Sequence, residues 1–104
     1  MRPIHLARIE KTRPVLVLTR DLARPAMSKV TVAPITSTVK GLSTEVPVGP
    51  ANGLDHDCVV SCDNIATIST TNLGRQIGWF TDQQERALAA ALVVAFDLDL
   101  PLIS

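Results

Sequence analysis

"RQIGWFTDQQERALAAALVVAF", residues 75–96, changes its hydrophobic period part-way along. The opening "RQIGW" (75–79) reads as a strand, whereas the residues after Thr81 follow a helical repeat. Ala87, Leu88, Ala91, Leu92, Ala95 and Phe96 fall on one apolar stripe. Thr81 is a good N-cap, and Gln84 stands three residues on, as in a capping box. Asp82 and Glu85 lie in the first turn, where the positive end of the helix dipole favours them. A helix is expected over 81–96, entered directly from a strand.

Upstream of this switch the chain reads as short strands and turns. "IHLARI" (4–9) and the apolar run "PVLVLT" (14–19) are strand candidates rich in β formers. "RDLARPAMS" (20–28) is a polar turn with room for one helical turn around Pro25. In "KVTVAPIT" (29–36), Val30, Val32 and Pro34 share one face, and Thr31, Ala33 and Ile35 share the other. Pro34, and Pro47 in "STEVPV" (43–48), mark a bulge, an edge or a strand end, because proline cannot donate to a ladder. "GPANGLDHD" (49–57) is a loop with an Asn52-Gly53 turn, and "CVVSC" and "NIATIS" follow as strands continuous across a bend. The expected fold is α+β and mostly β: a small antiparallel barrel or sheet with one C-terminal helix packed on it. With 104 residues, 46% of them hydrophobic, the chain is expected to form one domain over 1–104.

Composition narrows the function. No apolar run approaches the roughly 20 residues of a membrane helix, and "MRPIHLARIEK" lacks the apolar stretch of a signal peptide. A cytoplasmic protein with no membrane partner is expected. Cys58 and Cys62 sit four apart in one apparent strand, so their Cα atoms lie about 13 Å apart, too far for a disulfide. With His5 and His56 distant in sequence and no C-x-x-C pair, no zinc site is expected.

Net charge is zero, but residues 1–40 carry eight Lys or Arg against two acids, and residues 41–104 carry two Arg against eight acids. Folding either mixes these halves or leaves a basic face for a polyanion. Trp79, Phe80 and Phe96 are the only aromatic residues, at positions where core packing is the default. A domain that stacked successive bases would need more exposed rings, which disfavours an RRM or OB-type reader.

Three motifs in order carry a resemblance: "RPVLVLTRD" (13–21), "VAPITSTVKGLSTEVPV" (32–48) and "GL…DCVVSCDNIATI" (53–68). With the closing strand and helix, they resemble the MazF/PemK toxins, ribosome-independent endoribonucleases of bacterial type II toxin–antitoxin pairs. The resemblance implies an SH3-like barrel of the MazF/CcdB toxin type. It implies sequence-specific, metal-independent cleavage of single-stranded RNA by 2′-hydroxyl attack, leaving 2′,3′-cyclic phosphate and 5′-hydroxyl ends, with no cofactor. It also implies a homodimer inhibited by a MazE-like antitoxin that threads an acidic segment into the RNA groove. The tail "FDLDLPLIS" agrees with a dimer, since Phe96, Leu98, Leu100, Leu102 and Ile103 are more apolar surface than so small a domain covers by itself.

The resemblance assigns roles by position. Arg13, by its residue type alone a solvated cation at a strand start, matches the family's catalytic arginine before proline. Thr36 matches the assisting threonine. Ser37, Thr38 and Lys40 lie in a loop that the family uses beside the scissile phosphate. Asp63 and Asn64 match an acidic-then-amide pair in the groove. Two departures stand out: Arg2-Pro3 replaces the common Arg-Gly start, and Ala66 stands where an arginine often follows the amide. Two other readings remain: a CcdB-like toxin that poisons gyrase without enzymatic activity, and an SH3-like interaction module.

Overall fold

Strand β3, Lys29–Thr36, is the axis on which the rest of the sheet is hung. The computed structural model describes residues 2–99. Its other elements are β1 (Pro3–Arg8), β2 (Thr12–Val17), β4 (Glu45–Val48), β5 (Cys58–Ser61), β6 (Ala66–Ser69), β7 (Leu73–Trp79) and helix α1 (Asp82–Ala95). The strands pair antiparallel in the order β4-β5-β3-β2-β1-β7, and β6 also pairs with β3. They curl into a half-barrel.

β2 runs along one edge of β3, with Val15 opposite Pro34, Leu16 opposite Ala33 and Val17 opposite Val32. The other edge is shared. β6 pairs with Lys29 to Val32, and β5 pairs with Ile35 and Thr36. Between them Ala33 and Pro34 have no partner on that edge, so the proline that lacks an N–H falls where none is called for. "CVVSC" and "NIATIS" are thus successive partners of one long strand, parted by a turn.

Both faces of this sheet are covered. Ile4, Leu16, Ala33, Ile35 and Val60 pack with Phe80, Leu88 and Ala91 on the helix side. Ala7, Val15, Val17, Val30 and Val32 form a second, smaller cluster on the opposite side. That is why "VLV" in β2 is an unbroken apolar run: alternation disappears when both faces are buried.

The helix begins as the sequence reading expects. The Thr81 hydroxyl accepts from the Gln84 N–H at 3.1 Å, and Gln84 Oε1 accepts from the Thr81 N–H at 3.0 Å, a cap worth about 1 kcal/mol. Its buried stripe differs from expectation. Gln84, Leu88, Ala91, Leu92 and Ala95 face the sheet, whereas Ala87 is exposed and Phe96 is 55% exposed. Phe96 is already the C-cap, and Asp97, with a left-handed φ of 52°, turns the chain away. Of the three aromatics only Phe80 is core, at 1% exposure, while Trp79 is 46% exposed. In the tail Leu98 is exposed. Leu100, Leu102 and Ile103 lie outside the described residues.

Two polar knots hold the helix to the barrel. Buried Asn52, in the 3-10 turn Pro50–Asn52, donates to the Trp79 carbonyl at 2.8 Å and to Gln84 Oε1 at 2.7 Å, and accepts from the Gly49 N–H at 3.1 Å. Arg2 clasps Glu85 with two 2.8 Å bonds and donates to the Val17 and Leu18 carbonyls. These hydrogen bonds hold the Glu85 carboxyl below its ordinary range and raise Arg2. Among the described residues no helix is long and apolar enough to cross a membrane.

Candidate functional site

On the face opposite α1, beyond the valine cluster, the sheet opens into a groove of about 620 Å³. Its floor is apolar, from Ile9, Val32, Pro34 and Ala66. Arg13, Thr36, Thr38, Lys40, Asp63 and Asn64 line it, together with Leu42, Glu45 and Ser61. Strand pairing gathers the first two. Carrying the β2–β3 register two places beyond the Val15–Pro34 pair sets Arg13 opposite Thr36. Because side chains alternate across a strand, both share the face of Val15, Val17 and Val32.

Arg13 is half-buried, and its Nε is buried with no hydrogen-bond partner. Among the described residues it makes no ion pair. A buried donor left unpaired costs about 1–3 kcal/mol, and more when charged. The Thr36 hydroxyl oxygen accepts from the Thr38 N–H at 3.1 Å, which leaves its own hydrogen available to donate.

The far wall is held by buried polar neighbours. Asp63 Oδ2 accepts from the Thr44 hydroxyl at 2.6 Å, and Asn64 Nδ2 donates to Ser61 Oγ at 2.8 Å. These bonds orient the pair and leave Asn64 Oδ1 without a protein partner among the described residues. The groove therefore sets two cations, Arg13 and Lys40, against two carboxylates, Glu45 and Asp63. Of the eight basic residues in the first forty, the others lie elsewhere: Arg2 is bound to Glu85 and Arg24 is paired with Asp21.

Other chemically capable side chains are placed away from the groove. His5 Nδ1 lies 2.8 Å from the Gly74 carbonyl oxygen, and His56 borders a separate cavity of about 300 Å³ with Leu6, Pro14 and Arg75. Cys58 and Cys62 are free and buried. Burial pushes both thiols up, helped by Asp57 and Asp55 beside Cys58 and by Asp63 beside Cys62, so neither is a ready nucleophile at neutral pH. Among the described residues no three His, Cys, Asp or Glu side chains gather as metal ligands would.

The family model for the PemK-like, MazF-like toxins of type II toxin–antitoxin systems matches residues 3–96. The chain belongs to this family. It is 61% identical over 99 residues to endoribonuclease MazF3 of Mycobacterium tuberculosis, covering 95% of this chain and 96% of that one. Its fold superposes on the M. tuberculosis toxin MazF-mt6 with a TM-score of 0.93 at 60% identity, over 95% of this chain and all of the other. It also resembles an endoribonuclease from a mycobacterial species, solved in complex with its cognate antitoxin. There the TM-score is 0.83 at 24% identity, over 95% of each chain, a likeness of fold.

For a MazF-type chain, six of the seven expected site residues come together in the groove. Ser37 does not line it: β3 ends at Thr36, and the loop beyond brings Thr38 and Lys40 to the wall without Ser37. Sequence reasoning missed Glu45, Ser61 and Leu42. The available signal was faint: Gly41, a residue suited to a positive φ, with a carboxylate four places on. Ala66, where an arginine often stands, forms part of the apolar floor.

Proposed function

We propose that this MazF-type endoribonuclease cleaves single-stranded RNA in the groove, by attack of a ribose 2′-hydroxyl on the adjacent phosphate. The 2′-oxygen bonds to phosphorus and loses its proton. The bond from phosphorus to the 5′-oxygen breaks, and that oxygen takes up a proton. The products end in a 2′,3′-cyclic phosphate and a 5′-hydroxyl. No step as written needs a metal or cofactor. The phosphorane between these states carries extra negative charge, and a guanidinium offers two parallel donors to its oxygens.

The observation that carries this reading is the buried, unpartnered Nε of Arg13 in the groove wall. A guanidinium with no protein partner and one N–H buried in the wall is free to donate to an anionic ligand. The guanidinium holds its proton too firmly to serve as a base, so its role is charge stabilisation. Thr36 adds a hydroxyl donor, Thr38 and Lys40 meet flanking phosphates, and Asp63 with Asn64 reads a base edge, where the free Asn64 Oδ1 is an acceptor. The relatives' activity favours this over a gyrase poison or a peptide-binding module. A substrate with deoxyribose at the scissile nucleotide is expected to resist cutting in a single-turnover assay, because it lacks the nucleophile. Efficient cleavage of it would refute the mechanism.

We further propose a cytoplasmic two-fold homodimer, neutralised by a small acidic MazE-like antitoxin bound near Arg13 and Lys40. Trp79, Val94, Phe96 and Leu98 are each about half exposed, apolar surface that suits a second copy. The endoribonuclease of similar fold solved with its cognate antitoxin supports the partner. Sedimentation at micromolar concentration should give twice the 11.2 kDa chain mass; a species at the single mass refutes the dimer. Inhibition of cleavage by the antitoxin's acidic segment should weaken as salt rises; inhibition independent of salt would assign the recognition to apolar contacts instead.

A further inference from the structure

Three successive backbone N–H groups in the loop between β3 and β4 converge on one side chain. Glu45 Oε1 accepts from Lys40, Gly41 and Leu42 at 3.2, 2.9 and 3.1 Å, and Oε2 takes a second bond from Lys40 at 3.3 Å. Consecutive N–H groups aimed at one point form an anion nest, a geometry that needs a left-handed residue. Gly41 supplies it with φ 74°. Here the anion is the protein's own carboxylate.

Little else fixes this loop. Residues 37–43 are all exposed. Their remaining tethers are the Thr38 N–H on Thr36 Oγ1 and the Leu42 carbonyl accepting from the Glu45 N–H. Yet the segment carries Thr38, Lys40 and Leu42 into the groove wall. Glu45 is itself rigidly placed, as the first residue of β4 opposite Ser61 of β5. The Lys40 ammonium has no partner among the described residues.

We infer that Glu45 is a positioning residue for RNA binding, whose carboxylate fills the nest and so holds Lys40 toward the substrate backbone. The inference rests on the groove being the RNA site. Arg13 and Thr36 stand on β2 and β3, whose register owes nothing to this loop. Releasing the loop therefore taxes binding, because it must be ordered as RNA arrives, and leaves the chemical step largely alone.

The test compares Glu45→Ala, Glu45→Gln, Lys40→Ala and the Glu45→Ala/Lys40→Ala pair in the full chain. Cleavage kinetics are followed together with hydrogen exchange of the 40–42 amides. Glu45→Ala is expected to raise KM by about tenfold with kcat within about threefold, and to speed exchange at all three amides. Glu45→Gln keeps an Oε1 for three of the four bonds and should recover most of the loss. The double variant should be no worse than Lys40→Ala alone, since both changes remove one interaction. Additive losses, an equal fall in kcat, or looser amides with unchanged KM would each overturn the positioning role. If Arg13→Ala leaves cutting intact, the groove reading itself falls, while amide exchange still reports whether Glu45 anchors the loop.

Discussion

Arg13→Ala is expected to slow single-turnover RNA cleavage by on the order of 10³-fold while the protein melts at or slightly above the parent temperature. Loss of a residue that held the barrel together would do the opposite. The difference comes from the environment of its Nε, which is buried and has no partner to lose. Removing an unsatisfied buried donor breaks no hydrogen bond of the fold and relieves the cost of leaving that N–H unpaired. Arg13→Lys should restore little, because a point charge does not reproduce two parallel N–H donors. Near-normal cutting by the lysine variant would remove the geometric argument. Thr36→Ala should cost less, about 10²-fold, as one neutral donor is lost. A full rate there would leave Thr36 with a purely structural place at the end of β3.

Gly78→Ala is expected to lower stability by roughly 3–5 kcal/mol, a large part of the margin of a domain this size. A Cβ on Gly78 would overlap the Asn52 carbonyl oxygen, which is backbone and cannot swing aside. The neighbouring Gly53 meets the Ile77 carbonyl in the same way and also has a left-handed φ of 88°. These close approaches press the 3-10 turn against β7 and bring the Asn52 side chain within reach of Trp79 and Gln84. The useful control is Gly41→Ala. Its φ of 74° is equally left-handed, but nothing lies within 4 Å of an added Cβ. That change should cost about 1–2 kcal/mol, from backbone conformation alone. Thermal or urea unfolding of the two variants distinguishes them. Equal losses would mean that the turn-to-strand contact yields easily at Gly78, whose own φ is not left-handed.

Much of the groove was legible through the family resemblance, whose matched residues sit on or beside regular strands. Arg13-Pro14 opens an apolar run and Thr36 closes an alternating one, so each could be placed on its strand, although residue type alone would have left Arg13 a solvated cation. Asp63 and Asn64 lie in the break between two strand-like stretches. Glu45 was not legible. Its partners are backbone N–H groups, which every residue carries, and only the loop's path makes them converge. Ser37 was included because it shares the loop after Thr36 with Thr38 and Lys40, whereas the path of that loop brings those two to the groove and not Ser37.

Local pattern determined a good deal about this protein without tertiary help. The change of period at Thr81, the capping box with Gln84, the β runs upstream and the proline that interrupts pairing at Pro34 are all effects of short range. They depend on neighbours within a few residues, and sequence records those directly. Tertiary structure alone decided which faces of those elements meet. It turned Gln84 inward onto Asn52 and the Pro47 carbonyl and exposed Ala87 and Phe96, because the helix stripe is set by where Asn52 and the sheet lie. It also decided the charge of the groove. Eight basic residues in the first forty look like a basic surface, yet Arg2 is spent on Glu85 and Arg24 on Asp21, and Arg13 and Lys40 share the groove with Glu45 and Asp63. Charge adds along a chain irrespective of position, but electrostatic energy depends on distance and burial, and strand pairing sets both.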